Sequence, residues 1–98
     1  MAHKDPVLPE IARAVFARDV SCVGVKVGML GACGSQWGPG KPVSMEIDHV
    51  NSAGFGKRGR SIEENLVLIC GYHHRIKTES SKQWRAAINE YLRGFYAA

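Results

Sequence analysis

The sequence predicts a small α+β domain: a two-stranded hairpin and a following helix, flanked by N- and C-terminal helices. Three observations lead there. Leu66-Val67-Leu68-Ile69 is a continuous apolar run closed by Cys70-Gly71, which reads as a buried strand. Trp84, Ala87, Ile88, Tyr91, Leu92 and Phe95 recur at steps of three and four residues, the apolar stripe of a core-packing helix. Three cysteines in a chain of 98 residues point to a metal staple, because a core this small often needs one.

The elements follow in order along a single domain, residues 1–98. Residues 9–19 read as the first helix: Pro9 suits its first turn, and Ile11, Ala14, Val15 and Arg18 share a face. Residues 20–32 mix β-branched residues with glycines and are expected to form a short hairpin carrying Cys22 toward Cys33. Residues 34–42 hold three glycines and two prolines and read as a loop. Residues 43–50 are expected to form a strand ending at Asp48-His49. Residues 51–60, with three glycines, a lysine and two arginines, read as a basic loop. A brief helical turn over 61–64 leads into the second strand, and a helix starts near His73. Ser80 or Ser81 is expected to cap the last helix.

The net charge of +4 is unevenly placed. Residues 51–85 carry seven Lys/Arg against three acids, while the flanking segments balance. A basic excess in one segment suggests a polyanionic partner, most simply nucleic acid, with a solubilising charged face as the plainer alternative. No apolar stretch approaches the roughly 18 residues of a membrane span, and residues 1–6 lack the apolar core of a secretory signal. The expected compartment is a reducing cytoplasm, where cysteines bind metal more readily than they pair.

Cys70-Gly71-Tyr72-His73 has the two-residue gap of a zinc knuckle, so one strand-to-helix turn can present both donors to one ion. Thiolate and imidazole suit tetrahedral zinc, and Cys22 and Cys33 would supply the other two ligands of a structural Zn²⁺. The alternative is that these are small buried residues with His73 at a helix start. His74, about 100° round the helix from His73, can face a different ion.

The remaining polar residues are spaced as Glu46-x-Asp48-His49, then Asn65, then His74. Fifteen residues separate His49 from Asn65, and eight separate Asn65 from His74. With Cys70 and the His73-His74 pair, this resembles the HNH nuclease family, whose core is the ββα-metal fold, and its small free-standing phage or prophage members in particular. Many relatives carry Cys-x-x-Cys-His where this chain has Cys70-Gly71-Tyr72-His73-His74, so His73 would replace a cysteine.

The resemblance implies a metal-dependent endonuclease that hydrolyses DNA phosphodiester bonds. It implies His49 as general base and Asn65 as the residue fixing the base-bearing loop. It implies Asp48 and His74 as ligands of a catalytic divalent cation, Mg²⁺, Mn²⁺ or Ni²⁺. Glu46, on the same strand face as Asp48, reads first as a solvated strand glutamate, with an accessory ligand or a partner of one as the alternative. Lys57, Arg58, Arg60, Arg75 and Lys77 would contact the DNA backbone, with Lys77 placed one turn from His74. DNA is the implied partner, and phage packaging proteins are further partners that the resemblance admits. A rival from another class is a non-catalytic, zinc-stapled DNA-binding module, which would keep the cysteines and basic loop without needing Asp48, His49 and Asn65 together.

Overall fold

The computed structural model describes residues 6–33, 44–52 and 59–96. Helices α1 (Pro9–Asp19) and α2 (Val23–Lys26) precede strand β1 (Met45–His49). A 3₁₀ turn (Glu63–Asn65) leads directly into β2 (Leu66–Cys70), followed by α3 (Gly71–Glu79) and α4 (Ser81–Tyr96). The strands pair antiparallel, with Met45 opposite Cys70, Asp48 opposite Val67 and His49 opposite Leu66. This is an α+β fold in which a hairpin packs against helices.

Every residue of β2 is buried, because both of its faces are covered. Leu66 and Leu68 pack with Val15 of α1, flanked by Val7 and Ile11. Val67 and Ile69 face the other way, into a cluster with Cys22, Val23, Met29, Val50 and the α4 residues Ile88 and Leu92. A strand sandwiched in this way reads as an unbroken apolar run, since neither face meets water. Most of the α4 stripe lies as its periodicity requires: Ile88 and Leu92 are buried, and Trp84 and Tyr91 pack at the cluster's margin, while Phe95 at its end stays half-exposed.

The outer edge of β2 would expose unpaired backbone groups. Side chains from the end of α1 and the turn after it satisfy them. Arg18 donates to the Leu66 carbonyl, Leu68 N–H donates to Asp19 Oδ2 at 2.9 Å, and Cys70 N–H donates to Cys22 Sγ at 3.2 Å. Asp19 is fully buried, and its charge is met by a two-bond contact from Arg18 at 2.7 and 2.9 Å and by the Tyr91 hydroxyl at 2.6 Å. Burial works against the Arg18 charge, but its bonds to Asp19 and Tyr96 hold the guanidinium pKa above its ordinary value.

The hairpin expected over residues 20–32 does not form. The chain turns at Val20 (φ 65°, ψ −44°), and one helical turn, α2, follows. That helix ends in a Schellman motif: Gly28 N–H donates to Val25 O at 3.2 Å and Met29 N–H to Gly24 O at 2.9 Å. Gly28 has φ +91°, which the motif requires at that position. The glycines that suggested a hairpin turn therefore terminate a helix instead. Cys22 and Cys33 still approach each other, around α2 rather than across a strand pair.

Candidate metal centre and the polar site beside it

Cys22 and Cys33 flank α2, Cys70 ends β2, and His73 lies in the first turn of α3. The Cys70 sulfur caps α3 by accepting from His73 N–H at 3.4 Å, so the turn that starts the helix also aims both donors inward. One ligand atom from each of the four residues lies within 4.8 Å of the other three. His73 Nδ1 is 3.4 Å from Cys22 Sγ, 3.8 Å from Cys33 Sγ and 3.2 Å from Cys70 Sγ. With metal–sulfur and metal–nitrogen bonds of about 2.3 and 2.0 Å, a tetrahedral ion spaces S and N by about 3.5 Å. The observed distances bracket that value.

His73 Nε2 lies 2.9 Å from the Gly31 carbonyl. A ring that donates there keeps its lone pair on Nδ1, facing the sulfurs, as a metal-ligating histidine requires. Burial first, then the Cys70 and Cys22 sulfurs, push the Cys33 thiol up to about 12. Cys22, Cys70 and His73 are buried and Cys33 is partly exposed, so the cluster is closed. It is a Cys₃His site able to hold a metal ion such as zinc.

A second group of polar side chains lies where β1 meets α3. His74 Nδ1 is 2.9 Å from Glu46 Oε1, and Nε2 is 3.3 Å from Asp48 Oδ1. Glu46 and Asp48 project from the same face of β1, which lets one imidazole reach both. Asp48 is the more enclosed, its side chain 14 % exposed against 42 % for Glu46. Lys77 Nζ lies 2.7 Å from Asp48 Oδ2 as an ion contact, yet Oδ2 is buried without a directed hydrogen bond. Lys77 also donates to the His49 carbonyl at 3.2 Å. Its ammonium, expected from sequence to meet phosphate, sits largely inside the protein beside Asp48.

His49 ends β1, and its Nε2 lies 2.9 Å from Ser61 Oγ. Asn65, buried in the 3₁₀ turn, holds both ends of the intervening segment. Its Oδ1 accepts from Asn51 N–H at 2.9 Å and Asn51 Nδ2 at 3.0 Å. Its Nδ2 donates to the carbonyls of Asn51 at 3.1 Å and Arg60 at 3.0 Å. Val50 N–H donates to the Asn65 carbonyl at 2.9 Å. The two ends come so close at Gly59 that a methyl there would lie 1.8 Å from the Asn51 carbonyl oxygen, a backbone atom that cannot yield.

Of the other basic candidates, Arg60 and Arg75 are exposed, and Lys57 and Arg58 lie outside the described residues. Sequence reasoning did not single out Ser61, Asn51, Asn89 or the Arg18–Asp19 pair. The last had a local signal, adjacent opposite charges closing a helix; the others depend on distant contacts. Among the described residues, no helix is long and apolar enough to cross a membrane. Comparison of the chain with family models, with curated proteins and with solved structures found no match in any of the three.

Proposed function

We propose that this chain is a metal-dependent DNA endonuclease of the HNH type, hydrolysing phosphodiester bonds, with a structural zinc in the Cys₃His cluster. The observation that carries the reading is the pairing of His74 Nε2 with Asp48 Oδ1 at 3.3 Å, one residue from His49. Two donors at right angles on an ion with bonds of about 2.1 Å stand about 3 Å apart, so this pair fits one divalent cation. Glu46 on Nδ1 supports the fit, because a ligating imidazole is ordinarily held at its other nitrogen by a carboxylate or carbonyl. Half-exposed His74 leaves the site open to phosphate and water.

A cation bound there would polarise the phosphate and stabilise the charge developing on the leaving 3′ oxygen. The chain's own residues supply the rest. His49 accepts a proton from the water that attacks phosphorus in line, and Ser61 orients its ring. Asn65 ties the backbone just after His49, at Asn51, to the backbone beside Ser61, at Arg60. The products, by resemblance to the family mechanism, carry a 5′-phosphate and a 3′-hydroxyl. Arg60 and Arg75 are placed at the surface for sequence-independent backbone contacts. DNA is the proposed partner, and a role beside phage packaging proteins is compatible with it.

One observation favours the non-catalytic DNA-binding module. The Lys77 ammonium already balances Asp48, so that carboxylate does not depend on a cation for charge compensation. Plasmid nicking separates the two readings. The endonuclease loses cleavage in mild EDTA before it unfolds, and Mg²⁺, Mn²⁺ or Ni²⁺ restores it, with the transition metals favoured by imidazole ligation. Plasmid binding with no nicking under any of these cations would establish the binding module instead.

A further inference from the structure

Asn89 lies in the middle of α4, where helical periodicity makes it an unremarkable polar neighbour of the core residue Ile88. The structure gives it a particular partner. Asn51 Nδ2 donates to Asn89 Oδ1 at 3.0 Å, and Asn89 Nδ2 donates back to Asn51 Oδ1 at 3.0 Å. A reciprocal amide pair uses one donor and one acceptor from each side chain and fixes both in orientation. Asn51 is also bonded to Asn65, through its backbone N–H, its Nδ2 and its backbone carbonyl. Three asparagines, from the turn after β1, from the 3₁₀ turn and from α4, thus form one continuous network.

This network surrounds the place where His49 leaves the strand. Asn51 is two residues beyond His49. Asn65 also binds the Arg60 carbonyl, next to Ser61, whose hydroxyl meets the His49 ring. Within the network, Asn65 ties the segment's two ends to each other, and Asn89 ties them to an element outside the hairpin. Ile88 and Leu92, on either side of Asn89 in sequence, are anchored in the main core with Val50 and Val67. A rigid helix therefore holds the turn that carries His49.

We infer that Asn89 is a positioning residue: α4 sets the placement of His49 through the chain Asn89–Asn51–Asn65. The inference rests on the reading of His49 as the base. A base displaced by as little as 1 Å loses much of its effect, so the expected consequence falls on the chemical step rather than on DNA binding. The C-terminal helix then has a second task beyond closing the core, and the catalytic unit extends past the two strands and α3 to residue 89.

The test compares the full-length protein with Asn89→Ala and Asn89→Asp. The aspartate matches asparagine in size and keeps an acceptor but lacks the donor to Asn51 Oδ1, so it separates the hydrogen bond from side-chain volume. Amide hydrogen exchange is read at Asn51 and at Leu68, and kcat and KM for plasmid nicking are measured on the same samples. The expected result is exchange at Asn51 at least about tenfold faster with Leu68 unchanged. With it, kcat falls about 10- to 100-fold while KM stays near the parent value. Unchanged exchange at Asn51 in both variants overturns the inference whatever the activity. Faster exchange with unaltered kcat also overturns it, reducing the pair to local packing. If the parent protein nicks no DNA while Asn51 exchange still responds to Asn89, the endonuclease reading fails and the positioning role fails with it.

Discussion

His73 is fully buried, with Nδ1 facing three sulfurs, while His74, next in sequence, lies half-exposed between Glu46 and Asp48. Their roles separate under substitution. His73→Ala is expected to lose the bound zinc and lower the melting temperature by at least about 10 °C, the shift that roughly 2 kcal/mol produces in a domain of this size. His74→Ala is expected to keep the zinc and shift melting by only a few degrees, about 0.5 kcal/mol, while weakening cation rescue of cleavage. Metal content and thermal unfolding of the two proteins check this, and zinc loss from His74→Ala alone would reverse the assignment. The four donors of the cluster were legible because three thiols and an imidazole have few other reasons to gather in so small a domain. Glu46 was legible only as a strand-face neighbour of Asp48. Its contact with His74 depends on where α3 crosses β1, which spacing alone does not fix.

The elements at either end of the chain meet on the outer edge of β2, through Asp19. Tyr91 of α4 donates to its carboxylate at 2.6 Å, so an ionised phenolate would stand against a buried negative charge. Burial first, then that hydrogen bond and the charge of Asp19, raise the Tyr91 pKa well above the ordinary value of about 10. Below that value the hydroxyl is neutral in folded and unfolded chains alike, and its stabilisation is complete. Above it the unfolded chain releases a proton that the folded one retains, so stability falls as pH rises. Tyr91→Phe is expected to cost about 1 kcal/mol at pH 8 through the lost hydrogen bond. The gap between variant and parent should then narrow by pH 11, which urea unfolding at the two pH values measures.

At the same scale, α1, β2 and α4 were readable from periodicity because their apolar patterns extend over several residues. The segment holding α2 was not. Its four helical residues are too few to show a period, and Gly28, a helix terminator here, equally suits a hairpin turn. The strands' antiparallel register follows from the short 3₁₀ lead-in and the buried run, but the capping of β2 by Arg18, Asp19 and Cys22 joins residues 48 or 49 positions apart. No local pattern reports such a pairing.

Across the whole molecule, α3 contributes one histidine to each of two groups of donors with different chemistry, His73 to the Cys₃His cluster and His74 to the group with Glu46 and Asp48. One, of Cys22, Cys33, Cys70 and His73, is closed and sulfur-rich; the other, of Glu46, Asp48 and His74, is open and rich in oxygen and nitrogen, and under the proposed function it would take an exchangeable cation. The basic excess of residues 51–85 contains His74 and follows Glu46 and Asp48 in sequence, and it is the charge that the proposed nucleic-acid partner would meet. His49 is the residue on which the endonuclease reading turns, since it sits outside the Cys₃His cluster and its ring meets the Ser61 hydroxyl. The most direct test is nicking of supercoiled plasmid by parent and His49→Ala protein in Mn²⁺, with circular dichroism and zinc content measured on the same preparations. The expected result is cleavage by the parent and a loss of about 10²- to 10⁴-fold in the variant, with superimposable spectra and equal zinc. Near-parental cleavage by a folded, zinc-replete His49→Ala protein would contradict it.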